Sequence, residues 1–141
     1  AARGVVLPLL EQAPEELVIA NRTASKAIAL AGQFAQNGAV FAAEFHDLQR
    51  PFDIIINATS ASITAEVPPI SSLVFGEGAL AYDMMYGKEP TVFMRFAQQH
   101  GAVARDGVGM LVEQAAESFF VWRGVRADTA SVFAELRKKI A

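Results

Sequence analysis

The run Ile54-Ile55-Ile56, set in "PFDIIINAT", constrains the fold more than any other stretch of this chain. A strand sends successive side chains to opposite faces, so consecutive β-branched apolar residues leave neither face for water. A strand of that kind needs cover on both sides, as in a parallel sheet flanked by helices. The neighbouring segments supply the rest of such an architecture. "ELVIAN" reads as a short buried strand, "RTASKAIALAGQFAQNG" as an amphipathic helix stopped at Gly38, and "AVFAAEF" as a second strand. After the isoleucine strand, "GALAYDMMY" is a fourth, "PTVFMRFAQQHG" a helix stopped at Gly101, and "AVARDG" a short fifth strand. "VGMLVEQAAESFFVWRG" is then a helix ending at Gly124, and "ADTASVFAELRKKIA" a closing helix capped by Asp128 or Thr129, with its basic residues late, where the dipole favours them. Strands alternating with helices predict an α/β, Rossmann-type parallel sheet.

A chain of 141 residues, 52% of them hydrophobic, suits one domain with a substantial core. The formal net charge of -3 gives no global basic field, so nucleic acid and anionic membrane are not expected partners, and any anion must be bound locally. The absence of cysteine removes disulfides, thiolate metal sites and cysteine nucleophiles. His46 and His100 lie far apart with no motif partner, so no metal site is expected and each reads as a surface or helix-end residue. No apolar run is long enough to span a bilayer, and "AARGVVLPLL" carries neither charged leader nor cleavage site; the expected location is cytoplasmic.

A parallel α/β sheet binds ligands beyond the carboxyl ends of its strands. Those ends here are Asn21-Arg22-Thr23, Asn57-Ala58-Thr59-Ser60, Asp83-Met84-Met85-Tyr86 and Asp106-Gly107. Dinucleotide sites of this architecture place a carboxylate at the end of the second strand when the ribose carries a free 2′-hydroxyl. The equivalent position holds Asn21, followed by Arg22. A guanidinium can meet a 2′-phosphate through charge-assisted, bidentate bonds, with Lys26 one helical turn away as a second cation. Thr23 can cap the following helix while offering its hydroxyl or amide to the same phosphate. On these residues alone, "NRTASK" reads equally as a helix cap with solvated cations.

The segments "ANRTASKA", "FDIIINATSA", "YDMMYGKEPTVF" and "DGVGMLVEQAAESFFVWRG" occur in the order and spacing of the C-terminal, NADP-binding domain of the shikimate dehydrogenase family, which the chain resembles over essentially its whole length. Glutamyl-tRNA reductases share the "NRT" and "AT" segments, and "YDMMY" with "DGVGMLVEQAA" favours the former. The resemblance implies a reversible, NADPH-dependent reduction of 3-dehydroshikimate to shikimate in aromatic amino acid biosynthesis. It implies that Asn21, Arg22, Thr23 and Lys26 bind the adenosine 2′-phosphate and ribose. Lys26 stands where the family often has arginine, which keeps the charge and loses the fork. Asn57, Ala58, Thr59 and Ser60 would line the path of ribose and phosphate. Met84 would pack on the nicotinamide side, with Met110 beside it, and Gly107 would present backbone to the carboxamide. Tyr86 and Gln114 would reach the substrate.

The family's phosphate loop has the form G-A-G-G-A-x-R-G, and Ala1-Ala2-Arg3-Gly4 begins just inside it, so Ala1 is its expected remnant. The central strand before the loop and the N-terminal substrate domain, where the family keeps its catalytic lysine and aspartate, are expected to be missing. No catalytic residue is therefore assigned, and Lys88 reads as a solvated loop residue. A gap is expected between two strands, leaving unpaired backbone edges. An isolated chain is expected to be inactive. The alternatives are a quinate-preferring enzyme, or a non-catalytic fragment that needs its N-terminal portion. Ala61-Ser62-Ile63 departs from the glycine-containing continuation often seen after "NATS", which leaves the contacts beyond Ser60 open.

Unaided by the resemblance, Met84, Met85 and Met110 read as core fillers, Asn57 as a turn residue, Tyr86 as a strand-end residue and Gln114 as a solvent-facing one. Most of the apolar face formed by Val112, Ala115, Ala116, Phe119, Phe120 and Trp122 is expected to pack on the sheet, any remainder forming a pairing surface.

Overall fold

The computed structural model describes residues 1–61 and 65–140. The expectation placed on Ser62 and Ile63 lies outside these. The element order is α1 (Ala2–Leu10), β1 (Leu17–Ala20), α2 (Ala24–Phe34), β2 (Val40–Ala43), β3 (Phe52–Asn57), β4 (Phe75–Asp83), α3 (Val92–Gln99), β5 (Val103–Arg105), α4 (Val108–Arg123) and α5 (Thr129–Ile140). Strands β1 and β2 pair in parallel as one sheet, and β3-β4-β5 pair in parallel as another. The α/β, Rossmann-type expectation therefore holds, with the sheet in two pieces.

The core gathers under β4, whose burial alternates towards its carboxyl end as one face meets helices. Val74, Phe75, Ala79, Ala81, Phe93, Ala97 and Ala102 form its centre. Phe75 packs on Phe93 and Phe96, with ring centroids 6.2 and 5.6 Å away. Alanines at 79 and 81 let α3 approach the strand closely, and Ala97 on that helix is fully buried. Thr91 starts α3 by accepting from the Met94 amide at 3.2 Å. His100 ends the helix, its ring stacked on Phe75 and its Nδ1 2.8 Å from the Phe96 carbonyl, as expected of a helix-end histidine.

Several expectations need correction. Helix α1 had no counterpart in the sequence pattern: Ala1 is its N-cap without a side-chain bond, and Pro8 lies inside it, so neither start nor interior carries the usual signals. Helix α2 stops at Phe34 rather than continuing to Gly38. Strand β4 begins at Phe75, ahead of Gly78, because Phe52 pairs with Phe75 before the register shifts; Gly78, at φ +71, absorbs the irregularity. Ile54 is 53% exposed, because β3 is an edge of its sheet and lacks the second cover expected for the isoleucine run. Val112 and Ala116 are buried, but Phe119, Phe120 and Trp122 are not, Trp122 being 78% exposed. Ala115 is exposed as well. The apolar end of α4 is thus surface, not core.

Candidate functional site

At the end of β1 the chain turns on its own asparagine. Asn21 Oδ1 accepts the Thr23 amide at 2.9 Å, while the Asn21 amide still bonds the Ala43 carbonyl of β2 at 3.3 Å. Thr23 then occupies the N-cap of α2 with extended backbone, but its side chain makes no cap bond; the expected hydroxyl cap is replaced by the Asn21 turn. Arg22 and Lys26 are exposed, and among the described residues neither takes part in an ion pair. With no acidic residue in the first turn of α2, two exposed cations lie at the start of that helix in an overall acidic chain.

The ends of β3, β4 and β5 form a second, better-anchored cluster. Asn57, only 4% exposed, accepts both the amide and the hydroxyl of Thr59, at 3.1 and 2.8 Å, and Thr59 Oγ1 in turn accepts the Ala61 amide at 3.2 Å. The Met84 amide donates to the Asn57 carbonyl at 3.1 Å, and the Gly107 amide donates to the Met85 carbonyl at 3.0 Å. Three strand ends are thereby tied to one another through backbone. Asp83, fully buried, fixes the middle one: it accepts the Met85 amide at 3.0 Å and the Thr91 hydroxyl at 2.6 Å. Gly107 closes against Met84 so tightly that a Cβ there would lie 2.2 Å from the Met84 carbonyl oxygen.

Asp106 fixes the β5–α4 turn. Its carboxylate accepts the Val108 amide at 3.2 Å and a two-pronged guanidinium contact from Arg137 of α5, at 2.7 and 2.5 Å. The hydrogen bond to Asp106 raises the Arg137 pKa above the usual arginine value, against a smaller opposing effect of burial. Met84 and Met110 face an apolar cleft of about 360 Å³, with Tyr82, Leu80, Ile54 and Ile56 on the sheet side and Val5, Pro8 and Leu9 of α1 opposite. Burial in that setting pushes the Tyr82 phenol above its ordinary pKa, partly offset by the Met110 backbone.

The family model described as shikimate / quinate 5-dehydrogenase matches residues 1–66, and the model of the shikimate 5′-dehydrogenase C-terminal domain matches residues 107–137. The chain belongs to the shikimate dehydrogenase family. A curated relative from Herminiimonas arsenicoxydans, named shikimate dehydrogenase (NADP(+)), is 64% identical over 140 residues, which are 99% of this chain and 51% of the relative. An Ael1 enzyme from Pseudomonas putida has a solved structure with TM-score 0.87 at 50% identity, covering 96% of this chain and 50% of that one. A shikimate 5-dehydrogenase from Thermus thermophilus, solved with NADP(H) and shikimate, aligns with TM-score 0.76 at 28% identity over 96% of this chain and 50% of its own. The chain spans about half the length of the curated relatives it matches.

For a shikimate dehydrogenase family chain, the expected site residues fall into two groups and some outliers. Asn21, Arg22, Thr23 and Lys26 sit together at the β1–α2 turn. Asn57, Ala58, Thr59, Ser60, Met84, Gly107 and Met110 sit at or just beyond the β3, β4 and β5 ends, where bonds join Asn57 to Thr59 and Met84, and Gly107 to Met85. Ala1 is exposed at the start of α1, where its carbonyl accepts the Gly4 amide at 3.0 Å. Tyr86 and Gln114 are exposed. For Gly107, the close approach that excludes a side chain is the Met84 backbone, so glycine is required before any ligand arrives. Sequence reasoning gave no role to Asp83, Asp106 or Arg137. A faint signal existed for Asp83, since Pro90-Thr91 marks a helix start that needs anchoring, but none linked Asp106 to a residue 31 positions on.

Proposed function

We propose that this chain forms the NADP-binding part of a shikimate dehydrogenase that reversibly reduces 3-dehydroshikimate to shikimate. The observation that carries this reading is the β1–α2 turn. Asn21 stands where a carboxylate would select a free 2′-hydroxyl, and Arg22 and Lys26 are exposed and outside the ion pairs of the described residues. The residues present fit NADPH. Arg22, Lys26 and the Thr23 hydroxyl bind the 2′-phosphate, Asn21 orients the ribose, and the Asn57–Ser60 turn lines the phosphate path. Ala1 borders the pyrophosphate, Met84 and Met110 flank the nicotinamide, and Gly107 offers it backbone. Tyr86 and Gln114 contact shikimate. When bound, NADPH supplies a hydride to the carbonyl carbon; the protein's task is to orient the two carbons. The acid that protonates the carbonyl oxygen, and the remaining substrate contacts, come from the half of the relatives' length that this chain does not span.

The test is calorimetric titration with NADPH and NADH, on material whose intact mass has been established. NADPH binds in preference to NADH, and Arg22→Ala lowers NADPH affinity about tenfold or more, since a bond to a charged group contributes about 1.5–3 kcal/mol, while NADH binding changes little. Equal affinity for the two cofactors would overturn the assignment of Arg22. A second reading, in which the isolated chain is non-catalytic and holds cofactor poorly, is favoured by one observation: the sheet is in two pieces, with an open edge on β3. Binding of neither cofactor selects it.

A further inference from the structure

Helix α4 starts on a glycine, and a glycine N-cap has no side-chain oxygen to offer the free amides of the first turn. The residue before it takes that part. Asp106 Oδ1 accepts the Val108 amide at 3.2 Å, although the residue is only 8% exposed. A carboxylate so far out of water needs an opposite charge, and its one ion-pair partner among the described residues is Arg137, which meets both oxygens. Arg137 belongs to α5, and its own helix aims it. The guanidinium lies 5.1 Å over the ring of Phe133, one turn earlier, and that ring lies against Gly109, where a Cβ would be 3.9 Å away. The start of α4 is thus clamped to α5 at two points, Asp106 and Gly109. Gly107, Met110 and Gln114 lie on the segment that this clamp holds, and Gly107 donates its amide to the Met85 carbonyl beyond β4. The Tyr82 phenol in the apolar cleft, its pKa raised chiefly by burial, also responds to the Asp106 and Arg137 charges, in opposite senses.

We propose that Arg137 is a positioning residue for the nicotinamide end of the site: through Asp106 it sets where the start of α4 presents the Gly107 backbone, Met110 and Gln114. This rests on the reading of the chain as NADP-binding, and adds to it a residue from α5, an element that carries none of the expected contacts. Without the guanidinium, Asp106 is a nearly buried charge that has lost its partner. It turns towards water or takes up a proton, and either change weakens its hold on the Val108 amide. The start of α4 then shifts from the ends of β3 and β4. Among the described residues no ion pair joins this clamp to the β1–α2 turn, so Asn21, Arg22 and Thr23 keep their places. Loss of Arg137 therefore divides the cofactor, weakening the hold on its nicotinamide half and sparing its 2′-phosphate half.

The experiment titrates the chain calorimetrically with NADPH and with adenosine 2′,5′-bisphosphate, which has the 2′-phosphate end and no nicotinamide. Arg137→Met lowers NADPH affinity at least about tenfold and leaves that of the bisphosphate within about twofold. Arg137→Lys, which keeps the charge and loses the fork, stays within about threefold of the parent for both. Amide exchange without ligand gives a second measure. In Arg137→Met the Val108 amide exchanges at least about tenfold faster, while the Met94 amide, capped by Thr91 at the start of α3, is unchanged. Unchanged NADPH affinity in Arg137→Met overturns the proposal. So does an equal loss of both ligands, or equal acceleration of the two amides, since a general destabilisation would produce either. A parent chain that binds neither ligand overturns the cofactor reading and this role with it. A parent that binds both, with Arg137→Met no weaker for NADPH, overturns this role alone.

Discussion

Replacing Gly107 by alanine is the most direct test of how the strand ends are held. The glycine has φ -79, a value any residue adopts, so backbone strain is not the issue. The issue is space: the added Cβ would lie 2.2 Å from the Met84 carbonyl oxygen and 2.8 Å from its carbon, both backbone atoms that cannot rotate away. Relief requires the two segments to separate by roughly an ångström, which stretches the Gly107 amide bond to the Met85 carbonyl beyond its 3.0 Å. Overpacking costs about 1–3 kcal/mol and the weakened hydrogen bond about 0.5–1.5, giving a destabilisation of about 2–4 kcal/mol. Gly109, two residues along, is the internal control. A Cβ there meets only Phe133 at 3.9 Å, an ordinary contact, so Gly109→Ala within α4 stabilises by up to about 1 kcal/mol through helix propensity. Urea unfolding followed by circular dichroism measures both variants. A Gly107→Ala chain within about 0.5 kcal/mol of the parent would refute the reasoning, because a fixed Met84 carbonyl cannot tolerate that contact.

Two further predictions concern groups beside the cleft and on the surface. The Tyr82 phenol has its pKa raised in the folded state, so below the unfolded value of about 10 its contribution to stability is complete, and above it folded Tyr82 keeps a proton that the unfolded chain releases. Stability therefore falls as pH rises from about 10 through the folded pKa, and Tyr82→Phe flattens that limb; phenolate absorbance of a Tyr86→Phe variant, which leaves Tyr82 as the chain's one tyrosine, must appear later than in free tyrosine. Trp122→Lys changes stability by no more than about 0.5 kcal/mol, because the indole is 78% exposed, and lowers self-association in sedimentation; a loss of several kcal/mol would show that the indole is core.

The sequence disclosed those features whose cause is local. Apolar runs ending abruptly in Asn21, Asn57, Asp83 and Asp106 located the strand ends, because a parallel strand stays apolar until it leaves the sheet. The start of α2 was legible for the same reason, although the cap expected from the Thr23 hydroxyl is supplied instead by Asn21 Oδ1, two residues back. What escaped is non-local. Asp83 meets Thr91 across a loop, and Asp106 meets Arg137 across the whole of α4. The burial expected for Ile54 and for Phe119, Phe120 and Trp122 failed, because an apolar pattern states what a face wants, not whether a neighbour is there to cover it. Helix α1 was hidden because its N-cap is alanine and a proline interrupts its pattern.

The two halves of the candidate site are anchored differently, and this has a measurable consequence. The β1–α2 turn that carries Arg22 depends on one short-range bond from Asn21, and among the described residues no ion pair joins it to the β5–α4 turn. The latter is held from a distance: Arg137 grips Asp106, which is 8% exposed, and the same carboxylate accepts the Val108 amide beside Gly107. Arg137 is itself 39% exposed, so solvent screens part of the pair, and Arg137→Met costs about 1–2 kcal/mol rather than the larger figure for a fully buried pair. Arg22→Ala, at an exposed position without an ion pair among the described residues, costs no more than about 0.5 kcal/mol of stability. With no common partner, the double variant should lose the sum, with a coupling energy below about 0.5 kcal/mol in urea unfolding. A coupling above about 1 kcal/mol would mean that the two turns move as one unit, with α1, which reaches Gly38 ahead of β2 and lines the cleft beside β3 and β4, the element placed to transmit it.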